Sequence, residues 1–318
     1  GCGACAVACP LGAVTVRENE EGFFTASVNA ERCVDCGKCR EVCLRGGAKD
    51  AVRLTDGIMM AAQSSDPATV HACTSGGIAW ELTRSALEKG WAVAGVIYDF
   101  KDNRAKTVVA HTAEEAKAFR GSKYLQSDSV AAFQQLIEEA KVDDQAHFLV
   151  FGTPCQMYGL ASLLKQKKLR GRFLLVDLFC HGVPSYLVWD AYLGTLYAKT
   201  GELEQVTFRS KSIGWHNFVM DLAGKSGAYH QSSEGDLYYH AFFDNVLFSK
   251  ACFDCETRKS VSKADIRLGD YWGKRFQDRE DGVSAVLMLT PRGQSFFEQA
   301  SGINRMEATT VEEMLQAQ

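Results

Sequence analysis

From residue 57 onward, apolar positions recur with two periods. Ile78–Lys89 (IAWELTRSALEK) carries its apolar residues at helical spacing and stops at Gly90. Trp91–Tyr98 (WAVAGVIY) is a continuous apolar run of strand length, and Thr107–His111 reads as the return arm of a hairpin. The alternation continues through helix Val130–Lys141, strand His147–Phe151, helix Gln156–Lys168, strand Phe173–Phe179 and helix Tyr186–Lys199. Strands separated by single helices predict an α/β core with at least partly parallel pairing. Gln205–Arg209, Phe218–Leu222 and Val283–Leu289 would extend it antiparallel.

The first 56 residues follow neither period. They are glycine-punctuated and cysteine-dense, and the layout of Cys2–Val16 returns in Cys36–Leu54, a cysteine run followed by a short β-prone stretch, which reads as an internal duplication. The chain therefore divides into a small α+β part, 1–56, and a larger mixed-sheet α/β part, 57–318. No low-complexity segment separates them, so the two parts are expected to dock closely.

Composition narrows the function. Of 318 residues, 46% are hydrophobic and 23% charged, as in a folded globular protein, and the formal charge of −4 provides no general attraction to nucleic acid. No apolar run approaches the roughly 18 residues that span a bilayer. The outlier is cysteine: twelve in all, seven of them within the first 43 residues. That clustering is too uneven for packing cysteines. A disulfide framework is the alternative, but such frameworks belong to short secreted domains.

Cys33-x2-Cys36-x2-Cys39-x3-Cys43 has the spacing of a bacterial ferredoxin loop, in which three thiolates hold one [4Fe–4S] cube and the fourth reaches a second. Zinc competes, although its sites usually pair two Cys-x2-Cys knuckles across a longer gap. Cys2-x2-Cys5-x3-Cys9-Pro10 matches the last three cysteines of the same motif, and the first would fall ahead of Gly1, so a preceding segment is expected. Exchanging the fourth cysteines assigns one cluster to Cys33, Cys36, Cys39 and Cys9. The other takes Cys2, Cys5, Cys43 and the missing residue.

Five cysteines remain. Cys73 is read as a packing residue. Cys155 and Cys180 each follow a predicted strand, where α/β sheets place their ligands, and Cys252-x2-Cys255 supplies two more thiols. Together these four predict a third site, a cluster or zinc. His181 would serve as a proton relay or alternative ligand there, or else as a structural histidine. No G-x-S-x-G, Walker loop or G-x-G-x-x-G is present, which disfavours hydrolase, phosphoryl-transfer and ordinary dinucleotide-fold readings.

At these residues the chain resembles the family of coenzyme F420 hydrogenase/dehydrogenase beta subunits, in the form with an amino-terminal two-cluster ferredoxin domain. The resemblance runs nearly end to end. It rests on the cluster loops, Ser75-Gly76-Gly77, Gly121-Ser122-Lys123-Tyr124, Gly152-Thr153-Pro154-Cys155-Gln156, Cys180-His181-Gly182, Gly214-Trp215, Cys252-x2-Cys255, and Asp265-Ile266 with Gly269-Asp270-Tyr271-Trp272-Gly273. The wording around Cys180 and Asp270 resembles the bacterial branch. The resemblance implies FAD and a core [4Fe–4S] cluster, with coenzyme F420 as a diffusible two-electron carrier. Ser75, Gly76 and Gly77 would offer backbone N–H groups at a helix start to a pyrophosphate, or simply form a cap and tight turn. Ser122, Lys123 and Tyr124 join the implied cofactor site, Lys123 neutralising a phosphate or the reduced flavin if it points inward. Thr153, Pro154 and Gln156 complete it, Thr153 and Gln156 bonding an isoalloxazine or capping their helix. His181 and Lys123 are the candidate catalytic residues. The expected activity is that of an iron–sulfur flavoprotein oxidoreductase, the alternative a non-catalytic electron-relay subunit. A redox partner protein or ferredoxin and an oligomer are compatible with either, and thiolate ligands imply a reducing cytoplasm.

Overall fold

The computed structural model describes residues 1–46, 49–306 and 310–317. Among them an eight-stranded mixed sheet runs in the order Ile303–Met306, Ile58–Ser64, Ser284–Met288, Ile266–Asp270, Phe173–Leu178, Phe148–Phe151, Ala92–Asp99, Arg104–Ala110. Ile266–Asp270, Phe173–Leu178, Phe148–Phe151 and Ala92–Asp99 are mutually parallel, and the flanking pairs are antiparallel. Successive strand residues point to opposite faces. On one face Val93, Leu149 and Leu174 pack against Ile78, Leu82 and Ala86 of helix Ile78–Glu88. On the other, Ala94, Val150 and Leu175 meet Leu160 and Leu164 of helix Pro154–Gln166 and Phe133 of helix Val130–Val142. Helices cover both faces, which is why these strands read as continuous apolar runs.

The expected helices and the Ala92–Asp99/Arg104–Ala110 hairpin are present, and Ser284–Met288 joins the sheet antiparallel as expected. Two expectations need correction. Leu203–Ser210 and Val219–Gly224 do not extend the main sheet; with Gly227–Ser232 they form a separate three-stranded antiparallel sheet. Phe208, Met220 and Leu222 bury themselves instead against Trp189 and Leu196 of helix Tyr186–Thr200, in an aromatic core of their own. Conversely, the main sheet contains Ile58–Ser64, Ile266–Asp270 and Ile303–Met306, which carry no clear period.

The duplicated amino-terminal units share a local geometry. Gly3 precedes helix Ala4–Ala8 at φ 82°, and Gly37 precedes helix Lys38–Glu41 at φ 75°, a conformation that glycine adopts without steric cost. Their continuations diverge. Val14–Glu18 pairs with Phe24–Val28, whereas Val52–Arg53 pairs with Val261–Ser262. Ala4, Ala8 and Val42 are buried in the same core as Met157, Leu160 and Ala161, so the cysteine-dense part packs directly on helix Pro154–Gln166. Among the described residues no helix is long and apolar enough to cross a membrane.

Candidate metal centres

Cys9, Cys33, Cys36 and Cys39 line one hollow, open to solvent. Cys33 and Cys36 are exposed, Cys9 and Cys39 half-buried. Asp35 (φ 48°) and Gly37 (φ 75°) turn the chain within the loop, so three cysteines reach the hollow from seven residues. Cys9 arrives from the end of helix Ala4–Ala8, and the Ala13 N–H donates to its sulfur at 3.2 Å. Slight burial pushes the Cys9 thiol up, but the surrounding Leu11, Ala13 and Val14 N–H groups outweigh it and leave Cys9 below the ordinary thiol range.

Cys2, Cys5 and Cys43 are half-buried and lie outside the lining of this hollow. Burial raises the Cys5 thiol, and Cys43 and, more weakly, Cys39 raise it further, so Cys5 stands between the two amino-terminal sets. Burial pushes Cys2 up to about 12, with Cys155 adding to the effect more than Cys5 does. The reason is a close helix contact. A Cβ on Gly159 would lie 2.7 Å from the Cys2 sulfur and 2.9 Å from the Ala4 Cβ. Gly159 follows Cys155 by four residues, one turn along the same helix face.

Cys155, Cys180, Cys252 and Cys255 line a second hollow. Cys155 sits in the first turn of helix Pro154–Gln166, after strand Phe148–Phe151, and Cys180 follows the adjacent parallel strand Phe173–Leu178. The other two come from a distant segment held by two devices. Backbone bonds Ser185 N–H to Leu247 O (3.1 Å) and Ser249 N–H to Val183 O (3.2 Å) tie the approach to Cys252 beside the exit from Cys180. Gly182 permits this at φ 142°, since a Cβ there would lie 2.5 Å from the Phe248 ring. The second device is buried: Arg267 donates twice to Asp177 at 2.7 Å and to the Thr257 carbonyl at 2.8 Å, while the Thr257 hydroxyl lies 3.2 Å from the Cys255 sulfur. Burial pushes Cys180 up to about 12 and also raises Cys155 and Cys252. Thiols so placed need a cation to become thiolates.

All twelve cysteines are free thiols. Among the described residues no three His, Cys, Asp or Glu side chains converge as on a single metal ion. The two four-cysteine sets surround hollows instead of meeting at a point.

The residues expected around an organic cofactor fall in two places. Thr153, Pro154 and Gln156 line the four-cysteine core hollow. There the Thr153 N–H and hydroxyl donate to Gln156 Oε1 at 2.9 and 3.0 Å, and Gln156 Nε2 donates to Ser127 and Ser129 hydroxyls. The first two bonds are those of a helix cap, and the others tie the helix start to the 127–129 segment. The second group surrounds Cys73. The Ser75 hydroxyl donates to Val283 O, the Gly76 N–H to Ser284 Oγ, and a Cβ on Gly76 would lie 2.6 Å from Ala62 O. The start of the central strand Ser284–Met288 thus takes the Ser75 hydroxyl and the Gly76 N–H. Helix Ile78–Glu88 begins after Gly77 at φ 84°. The Ser122 N–H donates to Thr74 Oγ1 at 2.8 Å, and Lys123 Nζ to the Ala118 and Arg120 carbonyls. Burial pulls Lys123 down to about 7. The Tyr124 carbonyl accepts from Tyr238, and its ring packs edge-on to Phe242 at 5.0 Å.

His181 packs against Phe242 and Phe248, and its Nε2 has no partner among the described residues. Sequence reasoning assigned no role to Lys211, which donates to the Val70, Ser75 and Asp281 carbonyls and which burial pulls down to about 8. It also passed over Arg209, paired with Asp270 at 2.8 Å and lying 3.7 Å from the centre of the Phe218 ring. Lone basic residues such as Arg209 in strand Leu203–Ser210 and Lys211 just after it give no signal until tertiary contacts bury them.

Residues 1–46 match the family model described as a 4Fe-4S dicluster domain. Residues 59–134 and 146–314 match the amino-terminal and carboxy-terminal family models, respectively, of the coenzyme F420 hydrogenase/dehydrogenase beta subunit. An F(420)H(2) dehydrogenase subunit of Methanosarcina mazei is 29% identical over 307 residues, covering 93% of this chain and 80% of that protein. A chain from the xenon-derivatised F420-reducing [NiFe] hydrogenase complex of Methanosarcina barkeri shares the fold, with a TM-score of 0.52 and 19% identity over 81% of this chain and 88% of that one.

Proposed function

Because the chain belongs to the family of coenzyme F420 hydrogenase/dehydrogenase beta subunits, we propose that it is an iron–sulfur flavoprotein that moves electrons between a two-electron carrier and a redox partner. One observation carries this reading: thiols succeed one another from the exposed Cys33 and Cys36, through the half-buried Cys5 and Cys2, to the half-buried Cys155 and Cys180 of the core hollow. A [4Fe–4S] cube is wider than a single ion and suits hollows edged by four cysteines. Cys9, Cys33, Cys36 and Cys39 would hold the outer cluster, Cys155, Cys180, Cys252 and Cys255 the core cluster, and Cys2, Cys5 and Cys43 the one between. The exposed outer loop is then the face for a partner protein. We divide the chain functionally near residue 56.

FAD belongs to the same reading and, when bound, links paired to single electron transfer. The residues around Cys73 suit an anionic group, since Lys123 and Lys211 lose hydration there and would regain stability as cations beside a negative charge. Coenzyme F420 is the two-electron carrier suggested by the matched families and the Methanosarcina mazei relative, and the ligands' need to remain thiolate suits a reducing compartment. A relay role without catalysis has its own support: Ser75, Gly76 and Gln156 spend their polar groups inside the protein.

Anaerobic preparation of the natural full-length protein, followed by iron, sulfide and flavin analysis, tests both. About eight to twelve irons and one flavin are expected if two or three cubes are present. Zinc without iron overturns the cluster reading, and iron without flavin leaves the relay.

A further inference from the structure

We infer that Arg258 sets the reduction potential of the core cluster, an assignment that rests on the reading of Cys155, Cys180, Cys252 and Cys255 as its ligands. Arg258 lines the same hollow as the four thiols. Its place is held from both ends of the Cys252-x2-Cys255 turn: its N–H donates to the Cys255 carbonyl at 3.2 Å, and its Nη1 to the Cys252 carbonyl at 3.3 Å. The buried guanidiniums of Arg267 and Arg209 are neutralised, by Asp177 and Asp270 respectively. Among the described residues no carboxylate is paired with Arg258.

Its charge is therefore directed at the hollow. Reducing a [4Fe–4S] cube adds one negative charge to an assembly that four thiolates already make anionic. A fixed cation at its edge favours the reduced form, and a guanidinium keeps that charge at every working pH. The outer hollow differs. Arg32 and Arg40 line it, but Arg40 faces Asp35 at 3.8 Å with both side chains open to solvent, where their fields are screened.

The test is a dithionite titration of the natural full-length protein, loaded anaerobically with iron and sulfide and followed by EPR. The core signal is the one absent from Cys180→Ser. Arg258→Gln is expected to keep its iron while its core signal appears only at more negative potential, with a reduced-to-oxidised ratio about tenfold lower, about 59 mV for one electron. Arg258→Lys, which restores the charge, should return most of the shift. An unchanged midpoint in Arg258→Gln overturns the assignment, as does loss of the core irons from that variant, which would make Arg258 a clamp only. Absence of any signal that Cys180→Ser removes from the wild type is a different result: it refutes the ligand reading itself.

Discussion

Gly159 and Cys2 stand so close that any side chain on Gly159 would enter the space of the Cys2 sulfur, 2.7 Å from the position its Cβ would take. This contact joins the cysteine-dense part of the chain to the helix that carries Cys155. Gly159→Val should force helix Ala4–Ala8 away and lower unfolding stability by about 1–3 kcal/mol, the usual cost of overpacking. Helix propensity alone favours the opposite sign, because glycine is a poor interior residue. Chemical denaturation decides between them, and a stabilised variant would show that the contact is not limiting.

Iron content should separate the sites. Cys180→Ser or Cys252→Ser is expected to remove about four irons, Cys36→Ser about four others, and the double substitution about eight. If Cys252→Ser retains all its iron, that residue is a packing cysteine.

The Asp177–Arg267 pair is wholly buried and reaches the Cys255 turn through the Thr257 carbonyl. Asp177→Ala leaves a guanidinium unpaired in the interior, at an expected cost of about 3–5 kcal/mol. Differential scanning calorimetry measures that loss. In a variant still folded at low temperature, the core irons should leave before the outer ones, because the pair acts through Thr257 on Cys255 of the core set.

Lys123 provides a pH test. Burial holds it near 7 in the folded chain against an ordinary 10.5, so between those values the unfolded state binds more protons. The contribution of Lys123 is therefore present above 10.5 and lost as pH falls towards 7. Relative to Lys123→Met, the flavin-free wild type should gain stability on passing from pH about 7 to pH about 10. Bound FAD, by favouring the ammonium, should flatten that difference. Urea denaturation at the two pH values reads it, and equal pH dependence in the two proteins would place Lys123 in solvent.

Cysteine spacing carried the amino-terminal reading unaided, because the cluster loop is local: Cys33, Cys36 and Cys39 need only two turn residues to face one hollow. The parallel strands were equally legible, since burial on both faces leaves an apolar run such as Phe173–Leu178. Ile266–Asp270 was not, because its buried Arg267 breaks the pattern and is tolerated only through Asp177, ninety residues away. Leu203–Ser210 looked like an extension of the main sheet, but the aromatic side chains of Tyr186–Thr200 drew it elsewhere.

The order and type of the central elements, and the loop that gathers Cys33, Cys36 and Cys39, thus follow from short-range pattern and spacing. The meeting of Cys155, Cys180, Cys252 and Cys255 does not, because it depends on parallel pairing of two strands, on Gly182 yielding to Phe248, and on a buried ion pair. Gln156 shows the same limit on a smaller scale. Its sequence position suits a cap or a ligand equally, and its Nε2 donors find the hydroxyls of Ser127 and Ser129 only because folding brings them within hydrogen-bonding distance. Long-range packing decides which polar groups remain free for chemistry, since a buried donor must find a partner wherever the fold provides one.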